Sequence, residues 1–333
     1  MNYKIANALT NDTLSLIIFP TEQCNFRCFY CYESFELGRM SPETVEAILK
    51  LVKKRASTLK QLNISWFGGE PLMAKDIVLY LSKEFKKLSK KFNFIYNGSM
   101  TTNAYYLTDK LLKTLVDLGI NTYQITLDGS KEFHDKIRIM KNRKGSFDTI
   151  WNNLLSFKKI DASFDVMIRV HYSPVTITDI KNFAPLLVET FEKDKRFSLL
   201  FRNVSKLGGK NDKILSTCTN NETQEYQMEL SLLAKNFNKN VNIVSIESDY
   251  ICYASKANSY IIRSDGSIGK CTVALKEDVN NIGKLKDNGE LELDHDKFRL
   301  WSIGLQTENP NHLACPYHSL IEPAIVNEYA VLS

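Results

Sequence analysis

Cys24-Asn25-Phe26-Arg27-Cys28-Phe29-Tyr30-Cys31 sets three cysteines at C-x3-C-x2-C spacing, directly after the apolar run Leu14-Ser15-Leu16-Ile17-Ile18-Phe19. Three thiolates on one short loop can each hold one iron of a cubane cluster, leaving the fourth iron without a protein ligand. That open iron is where chemistry would occur. A structural zinc site needs four ligands at short spacings, and no fourth Cys or His lies close by. A disulfide framework suits neither a chain this long nor an odd count of seven cysteines.

The spacing, with an aromatic residue just before the third cysteine, resembles the signature of the radical S-adenosylmethionine (radical SAM) enzymes. In that family the amino and carboxylate groups of SAM chelate the open iron, and one electron from the cluster cleaves SAM to a 5'-deoxyadenosyl radical. The resemblance implies that Cys24, Cys28 and Cys31 are ligands of a 4Fe-4S cluster and that Tyr30 lies beside the adenine.

At 333 residues the chain has room for one large domain and an appended smaller one. Its 43 lysines and arginines against 38 aspartates and glutamates give a net charge of +5, a weak balance that does not by itself argue for nucleic acid. Met1 to Asn7 contain no apolar core for a signal peptide, and no later run approaches the roughly 18 apolar residues of a membrane span. Seven cysteines without an export signal point to a reducing cytoplasm, which also suits low-potential iron-sulfur chemistry.

Short apolar strands alternate with amphipathic helices, the pattern of a parallel sheet. The strands are expected at 14–19, 61–67, 94–100, 122–127, 164–171 and 196–202. Ser41 and Pro42 read as N-cap and first residue of a helix whose buried stripe is Val45, Ile48, Leu49 and Val52. A second helix turns Ile77, Leu81, Phe85 and Leu88 inward, and Lys83, Lys86, Lys87, Lys90 and Lys91 read as its solvated face. A third is capped by Thr108 and stopped by Gly119. Six such strands suit the open, partial (β/α)6 TIM-like barrel of this family, where chemistry sits at the C-terminal strand ends.

Those ends carry the unusual residues. Strand two runs into Gly68-Gly69-Glu70-Pro71, strand three into Thr101-Thr102-Asn103, strand four into Thr126-Leu127-Asp128, and strand five holds Arg169. Two glycines after a strand are most often a tight turn, but a loop without side chains also lets backbone approach a ligand. The stretch looks like the family's GGE motif, which implies that Gly68, Gly69 and Glu70 contact the methionyl amine of SAM. On the same resemblance Thr102, Asn103, Thr126 and Asp128 face its ribose and methionine side. Asn103 is followed by Ala104, where many relatives have glycine. Arg169 suits the SAM carboxylate by chemistry and a surface position by its place on a half-exposed strand. The segment from Asp128 to Arg138, with His134-Asp135, is similar to radical SAM enzymes that carry C-terminal SPASM or twitch domains; His134 itself reads as a hydrogen-bonded structural histidine.

The expected division is 1–206 for the barrel, 207–243 for a bridging segment and helix, and 244–333 for a small cysteine-containing α+β domain. Leu207 to Asp212 mark the exit from the barrel, and a helix follows over about 222–237. Tyr260 to Cys271 is a hairpin pattern with Asp265-Gly266 at its tip. Cys252, Gly266 and Cys271 in the order C...G-x4-C resemble the start of a SPASM or twitch domain, which implies auxiliary 4Fe-4S chemistry. Only Cys315 remains of the later cysteine run, so Cys252, Cys271 and Cys315 are expected to hold one auxiliary cluster, with His312, His318, Cys218, water or substrate on its fourth iron. The alternative is a reduced domain whose cysteines are simply buried. Cys218 reads either as an incidental thiol or as a donor of a hydrogen atom to a substrate radical.

The resemblance implies a radical SAM enzyme with a peptide substrate, giving a thioether or carbon-carbon crosslink in a ribosomally made peptide. Epimerisation through Cys218, and dehydrogenation of a small molecule, are the alternatives; a non-catalytic relative would not need the intact cysteine triad and GGE stretch. Sulfatase maturation fits less well, because those relatives carry the full cysteine set. An electron donor such as flavodoxin or ferredoxin is implied. Only 13 residues precede Leu14, so leader recognition is expected from a separate protein or from the barrel surface.

Overall fold

The computed structural model describes residues 3–235, 237 and 250–321, apart from the side chain at 321. Helix α1 (Tyr3–Leu9) precedes β1 (Thr13–Ile18), and the cysteine loop contains the short β2 (Phe26–Cys28). Then come α2 (Pro42–Arg55), β3 (Gln61–Trp66), α3 (Lys75–Phe92), β4 (Ile95–Thr102), α4 (Asp109–Asp117), β5 (Ile120–Thr126), α5 (Lys131–Ile137) and β6 (Arg138–Met140). They are followed by α6 (Phe147–Phe157), β7 (Asp165–Tyr172), α7 (Ile177–Phe191), β8 (Phe197–Asn203) and α8 (Asn220–Leu233). The C-terminal part holds β9 (Ser259–Ile262), β10 (Ser267–Gly269), β11 (Gly283–Leu285) and β12 (Leu291–Leu293), then α9 (His295–Trp301), α10 (Ile303–Thr307), α11 (Pro310–Ala314) and α12 (Pro316–Ile321). The fold is mixed α/β with a mostly parallel sheet, as the alternation of patterns predicts.

Two compact units emerge: Met1–Gln23, Phe35–Gly98 and Val244–Ser333 form one, Cys24–Ser34 and Ser99–Ile243 the other. The second unit runs through position 206 without a break and ends at 243, the same place as the expected start of the C-terminal segment, while 244–333 groups with the N-terminal stretches. Strand pairing is the reason in the first unit. There β9 lies parallel to β1, with Leu16 beside Tyr260 and Ile18 beside Ile262, so the C-terminal segment extends the sheet of the first strand.

Within this first unit the strand order is β12-β11-β10-β9-β1-β3, followed by the start of β4. Leu14, Leu16 and Ile18 on β1 and Leu62, Ile64 and Trp66 on β3 are buried at alternate positions, the period of a half-covered strand. Ser41 caps α2 by accepting from Thr44 N, and Val45, Ile48, Leu49 and Val52 are buried as their spacing requires. On α3 the apolar stripe is inward, while Lys83, Lys87, Lys90 and Lys91 are exposed and Lys86 is half-buried. Helix α1 carries no strong sequence signal; its Ile5 and Ala8 pack with Leu305 and Leu313. The hairpin at Asp265-Gly266 pairs Ile268 with Ile262, but β10 ends at Gly269 and Cys271 lies beyond it.

In the second unit the end of β4, then β5, β7 and β8, lie side by side, with β5, β7 and β8 parallel. A separate antiparallel pair joins β2 to β6 and sets Cys28 opposite Arg138. Helix α8 opens on a capping box, Thr219 with Glu222, and ends at Leu233, short of the expected end near 237. Ala104 takes the left-handed conformation, φ 59°, that glycine adopts more easily. The turn is held by Ala104 N donating to Thr102 Oγ1 (3.0 Å), Tyr105 N to Asn103 Oδ1 (3.0 Å) and Asn153 Nδ2 to Ala104 O (2.9 Å). Among the described residues no helix is long and apolar enough to cross a membrane.

Candidate active site

The cysteine loop of the second unit is shaped by its own amides. Phe26 N donates to Cys24 Sγ (3.3 Å), and the amide of Glu33 hydrogen-bonds Cys31. Arg27 closes the loop by donating to the carbonyls of Cys24 (2.8 Å) and Phe26 (2.6 Å). Asn103 donates from Nδ2 to Asn25 Oδ1 (2.8 Å) and, more weakly, to Cys24 Sγ (3.9 Å). Burial raises the pKa of Cys28 against the pull of Arg138, and burial together with Cys28 pushes Cys31 up to about 12. Buried sulfurs with amides turned toward them are poor thiolates in isolation and good ones on iron, whose charge removes the penalty.

Tyr30, between the second and third cysteines, is held by a network that the sequence reading did not assemble. Its hydroxyl donates to Asp128 Oδ2 and accepts from Arg138 Nη1 (2.7 Å). Asp128, 1% exposed, also accepts at Oδ1 from His171 N (2.7 Å) and His171 Nδ1 (3.1 Å), and lies 3.8 Å from Arg138 Nη1. Burial alone would raise the Asp128 pKa, but His171, Arg138 and the Tyr30 hydroxyl outweigh it and hold the carboxyl below its usual range. His171 stacks at a tilt on Tyr30, ring centroids 4.7 Å apart, and burial favours its neutral form. Sequence reasoning placed Asp128 beside the cofactor. The structure shows its carboxylate engaged with protein groups on both oxygens. Arg138 and His171 were missed because their partners are remote in sequence; the one available signal was their position next to strand ends.

His134 is the structural histidine expected of it. Fully buried, it accepts at Nδ1 from Asp128 N (3.2 Å), which leaves the proton on Nε2 to donate to Ser146 Oγ (3.1 Å). Burial, aided by Arg138, lowers its pKa from 6.5 to about 3. A histidine held neutral in the fold stabilises it fully above pH 6.5 and loses that contribution as pH falls toward 3. Unfolding of the cluster-free protein in urea should therefore show a loss of about 2 kcal/mol from this group between pH 7 and pH 5. His134→Asn, whose Oδ1 can still accept from Asp128 N, should flatten that part of the profile.

In the first unit the GGE stretch packs against the residues leading into the cysteine loop. Gly68 has φ +101°, and a Cβ there would stand 2.5 Å from Thr21 O. A Cβ at Gly69 would stand 2.4 Å from Gln23 O. Glu70 N donates to Gln23 O (3.0 Å), while its fully buried carboxylate accepts from Leu72 N (3.0 Å) and caps the short turn at Pro71–Ala74. The glycines thus answer a close approach of two backbone segments.

The three later cysteines meet in the same unit, each with a backbone amide turned to its sulfur: Ala254 at Cys252, Val273 and Ala274 at Cys271, Tyr317 and His318 at Cys315. Burial pushes Cys252 up to about 11, and the charges of Cys271 and Cys315 add to the rise. His312 Nδ1 is buried without a partner. Lys270 is 1% exposed beside them, donating to the carbonyls of Lys256 (2.6 Å) and Ser259 (2.8 Å) over the rings of Tyr260 and Phe298. A buried lysine of this kind leaves no mark in a sequence pattern. Among the described residues no three Cys, His, Asp or Glu side chains close on one point as a single metal ion requires. Sulfurs on one zinc stand about 3.8 Å apart, whereas those of a cubane bind separate irons and stand wider.

Cys218, of the second unit, differs from the other six cysteines. Its thiol is pushed up to about 11 by burial and by Glu222, and it lies near Tyr172 and Tyr226. Tyr172 belongs to the buried face of β7, with Val166, Ile168 and Val170, and meets Tyr226 of α8 at 6.2 Å between ring centroids. Arg169 and His171 occupy the opposite face of that strand.

The chain resembles several known proteins. It is 28% identical over 169 residues to the cysteine-type anaerobic sulfatase-maturating enzyme of Clostridium novyi (strain NT), a match that covers 46% of this chain and 43% of that enzyme. It is 27% identical over 277 residues to a GTP 3',8-cyclase of Clostridium botulinum, covering 79% of this chain and 82% of the cyclase. Among solved structures, anSMEcpe with bound AdoMet and Kp18Cys peptide superposes with a TM-score of 0.66 at 21% identity, over 86% of this chain and 83% of that one. Streptococcus suis SuiB bound to S-adenosylmethionine gives 0.60 at 16% identity, over 90% and 68%. At such identities the structural likeness is one of fold. The family model of the Radical SAM superfamily matches residues 18–184, half of the chain, and this protein belongs to that superfamily.

Proposed function

We propose that the protein takes a hydrogen atom from a peptide and joins the resulting carbon centre to a sulfur or carbon, crosslinking a ribosomally made peptide. When held by Cys24, Cys28 and Cys31, a 4Fe-4S cluster with SAM supplies the 5'-deoxyadenosyl radical that does the abstraction. The loop amides of Phe26 and Glu33 stabilise negative sulfur, and Tyr30, fixed by Asp128 and Arg138, sets the loop's orientation. Gly68, Gly69, Glu70, Thr102, Asn103 and Thr126 supply the SAM contacts.

A thioether formed from a thiol and a C–H bond loses two hydrogens. One leaves as the abstracted atom and the other as a proton and an electron, so the electron needs an acceptor. Cys252, Cys271 and Cys315, with His312 beside Leu313, are where an auxiliary cluster would be held. The observation that carries this reading is a repeated geometry. An amide two residues on faces the sulfur at Cys24, Cys31, Cys252, Cys271 and Cys315 alike, which is how a loop turns its N–H groups toward a metal-bound thiolate. The position of Cys218 against Tyr172, away from Arg169 and His171, favours crosslinking over epimerisation by that thiol. The peptide is proposed to arrive with a separate leader-recognition protein, and a flavodoxin or ferredoxin to deliver the first electron. Likeness to GTP 3',8-cyclase along most of the chain supports a second reading, a small-molecule substrate.

Iron and acid-labile sulfide in anaerobically purified protein test the first reading. Cys24→Ala/Cys28→Ala/Cys31→Ala should form no 5'-deoxyadenosine from SAM and dithionite yet keep about four irons per chain. A folded variant with no iron removes the electron acceptor and with it the crosslinking chemistry. An iron-replete wild type that makes no 5'-deoxyadenosine would sink the reading as a whole.

A further inference from the structure

One face of β7 and β8 carries a pair of cations, Arg169 and Arg202, with the strand's one acid, Asp165, at the far end of β7. On β7 this face holds Met167, Arg169 and His171; on β8, where Phe197, Leu199 and Phe201 are buried, it holds Ser198, Leu200 and Arg202. Parallel pairing sets Arg169 beside Thr126 on one side and Leu200 on the other, and His171 beside Arg202. Arg169 Nε is buried with no hydrogen-bond partner. After burial, the largest influence on its guanidinium is the like charge of Arg202, and both lower its pKa. Asp128, whose charge also reaches Arg169, is already engaged by Tyr30, Arg138 and His171. Desolvated, repelled by a second cation and short of a hydrogen bond, Arg169 is costly as it stands. An anion lying between the two guanidiniums would relieve all three penalties at once.

We propose that Arg169 and Arg202 clamp the side-chain carboxylate of an aspartate or glutamate in the peptide substrate. The inference rests on the peptide-modifying reading above and narrows it to acidic peptides. A carboxylate is planar and accepts two forked N–H pairs, which two guanidiniums on neighbouring strands can offer together. Arg202 is exposed at the end of β8 while Arg169 is partly covered, so the clamp opens toward solvent, as entry of a chain segment requires. The shared chemistry leaves one rival source of the carboxylate, the methionyl group of SAM, and the test separates them.

The probes are acetyl-Gly-Glu-Gly-amide and its isostere acetyl-Gly-Gln-Gly-amide, titrated calorimetrically into the reconstituted full chain saturated with SAM. The glutamate peptide should bind at least about tenfold more tightly. In Arg202→Gln, a change at an exposed position, that preference should vanish. SAM affinity, measured separately by equilibrium dialysis, should move by less than about twofold. Equal binding of the two peptides, or no binding of either, overturns the clamp; if SAM still binds and is cleaved, the radical SAM reading survives that failure. A tenfold loss of SAM affinity in Arg202→Gln would assign the carboxylate to SAM instead. Displacement of the glutamate peptide by GTP would assign the arginines to phosphate and overturn the acidic-peptide proposal.

Discussion

Asp128→Asn is expected to cost about 3–5 kcal/mol of stability, the usual penalty for leaving one partner of a buried ion pair uncompensated. The cost arises at Arg138, whose side chain is 7% exposed and whose charge is sustained by Tyr30, Cys28 and Asp128 against burial. The amide also lacks one of the two acceptors that now serve Tyr30 and His171. Sign and pH window follow from the direction of the shift. A carboxyl whose folded pKa lies below the ordinary 3.8 contributes stability above pH 3.8, and loses it as pH falls through the folded value. The wild type should thus weaken below about pH 4 with a slope that Asp128→Asn lacks. The slope from His134, which begins near pH 6.5, should persist in both. Urea denaturation at several pH values reads both effects. Because Tyr30 stands between Cys28 and Cys31, two of the three proposed cluster ligands, the same variant should also lower the rate of 5'-deoxyadenosine formation by about 10- to 100-fold, the range seen when a group supporting metal ligands is lost. An unchanged rate with reduced stability would make the network purely structural.

Gly69→Ala should be the other severe change. The new methyl group meets Gln23 O at 2.4 Å, Gln23 C at 2.6 Å and Glu22 O at 2.7 Å, all of them backbone atoms. No side-chain rotation relieves such a contact. Either Gln23 moves, breaking the bond from Glu70 N and displacing the residue that precedes Cys24, or the GGE turn does. Overpacking of this sort costs about 1–3 kcal/mol or more. Glu22, 2% exposed and paired with Arg263 through both carboxylate oxygens (2.9 and 2.7 Å), resists the first adjustment. A melting temperature several degrees lower is expected, together with reduced iron content after reconstitution. A variant that melts with the wild type would show that the two segments can separate freely.

What the sequence made legible were features with a short period or a fixed local chemistry. The strands through Leu14, Leu62 and Val166 alternate every second residue; Ser41-Pro42 and Thr108 announce helix starts; Asp265-Gly266 announces a hairpin. The three-residue strands at Phe26 and Arg138 are too short to show a period, so the pairing of Cys28 with Arg138 was invisible. Cys24, Cys28 and Cys31 were legible as a group because their C-x3-C-x2-C spacing is local. The Tyr30, Asp128, Arg138 and His171 network was not, because nothing in a hydrogen bond between positions 30 and 128 constrains the letters between them. The glycines at 68 and 69 were read from the sequence as letting backbone approach a ligand. In the structure the approaching group is the chain itself at Thr21 to Gln23.

The parallel pairing of β9 with β1 bears on how the protein is made. Leu16 leaves the ribosome early and its neighbour Tyr260 late, so at about 5–20 residues per second the β1 edge waits roughly ten to fifty seconds for its partner. Residues 24–34 and 99–243, the second unit, are all synthesised within that interval. Throughout it β1 presents an unpaired, apolar strand edge of the kind that recruits foreign strands. Nascent chains arrested before residue 259 should therefore be the species that aggregate and engage chaperones, and Cys271 and Cys315 emerge only after the strand that covers the edge has been made.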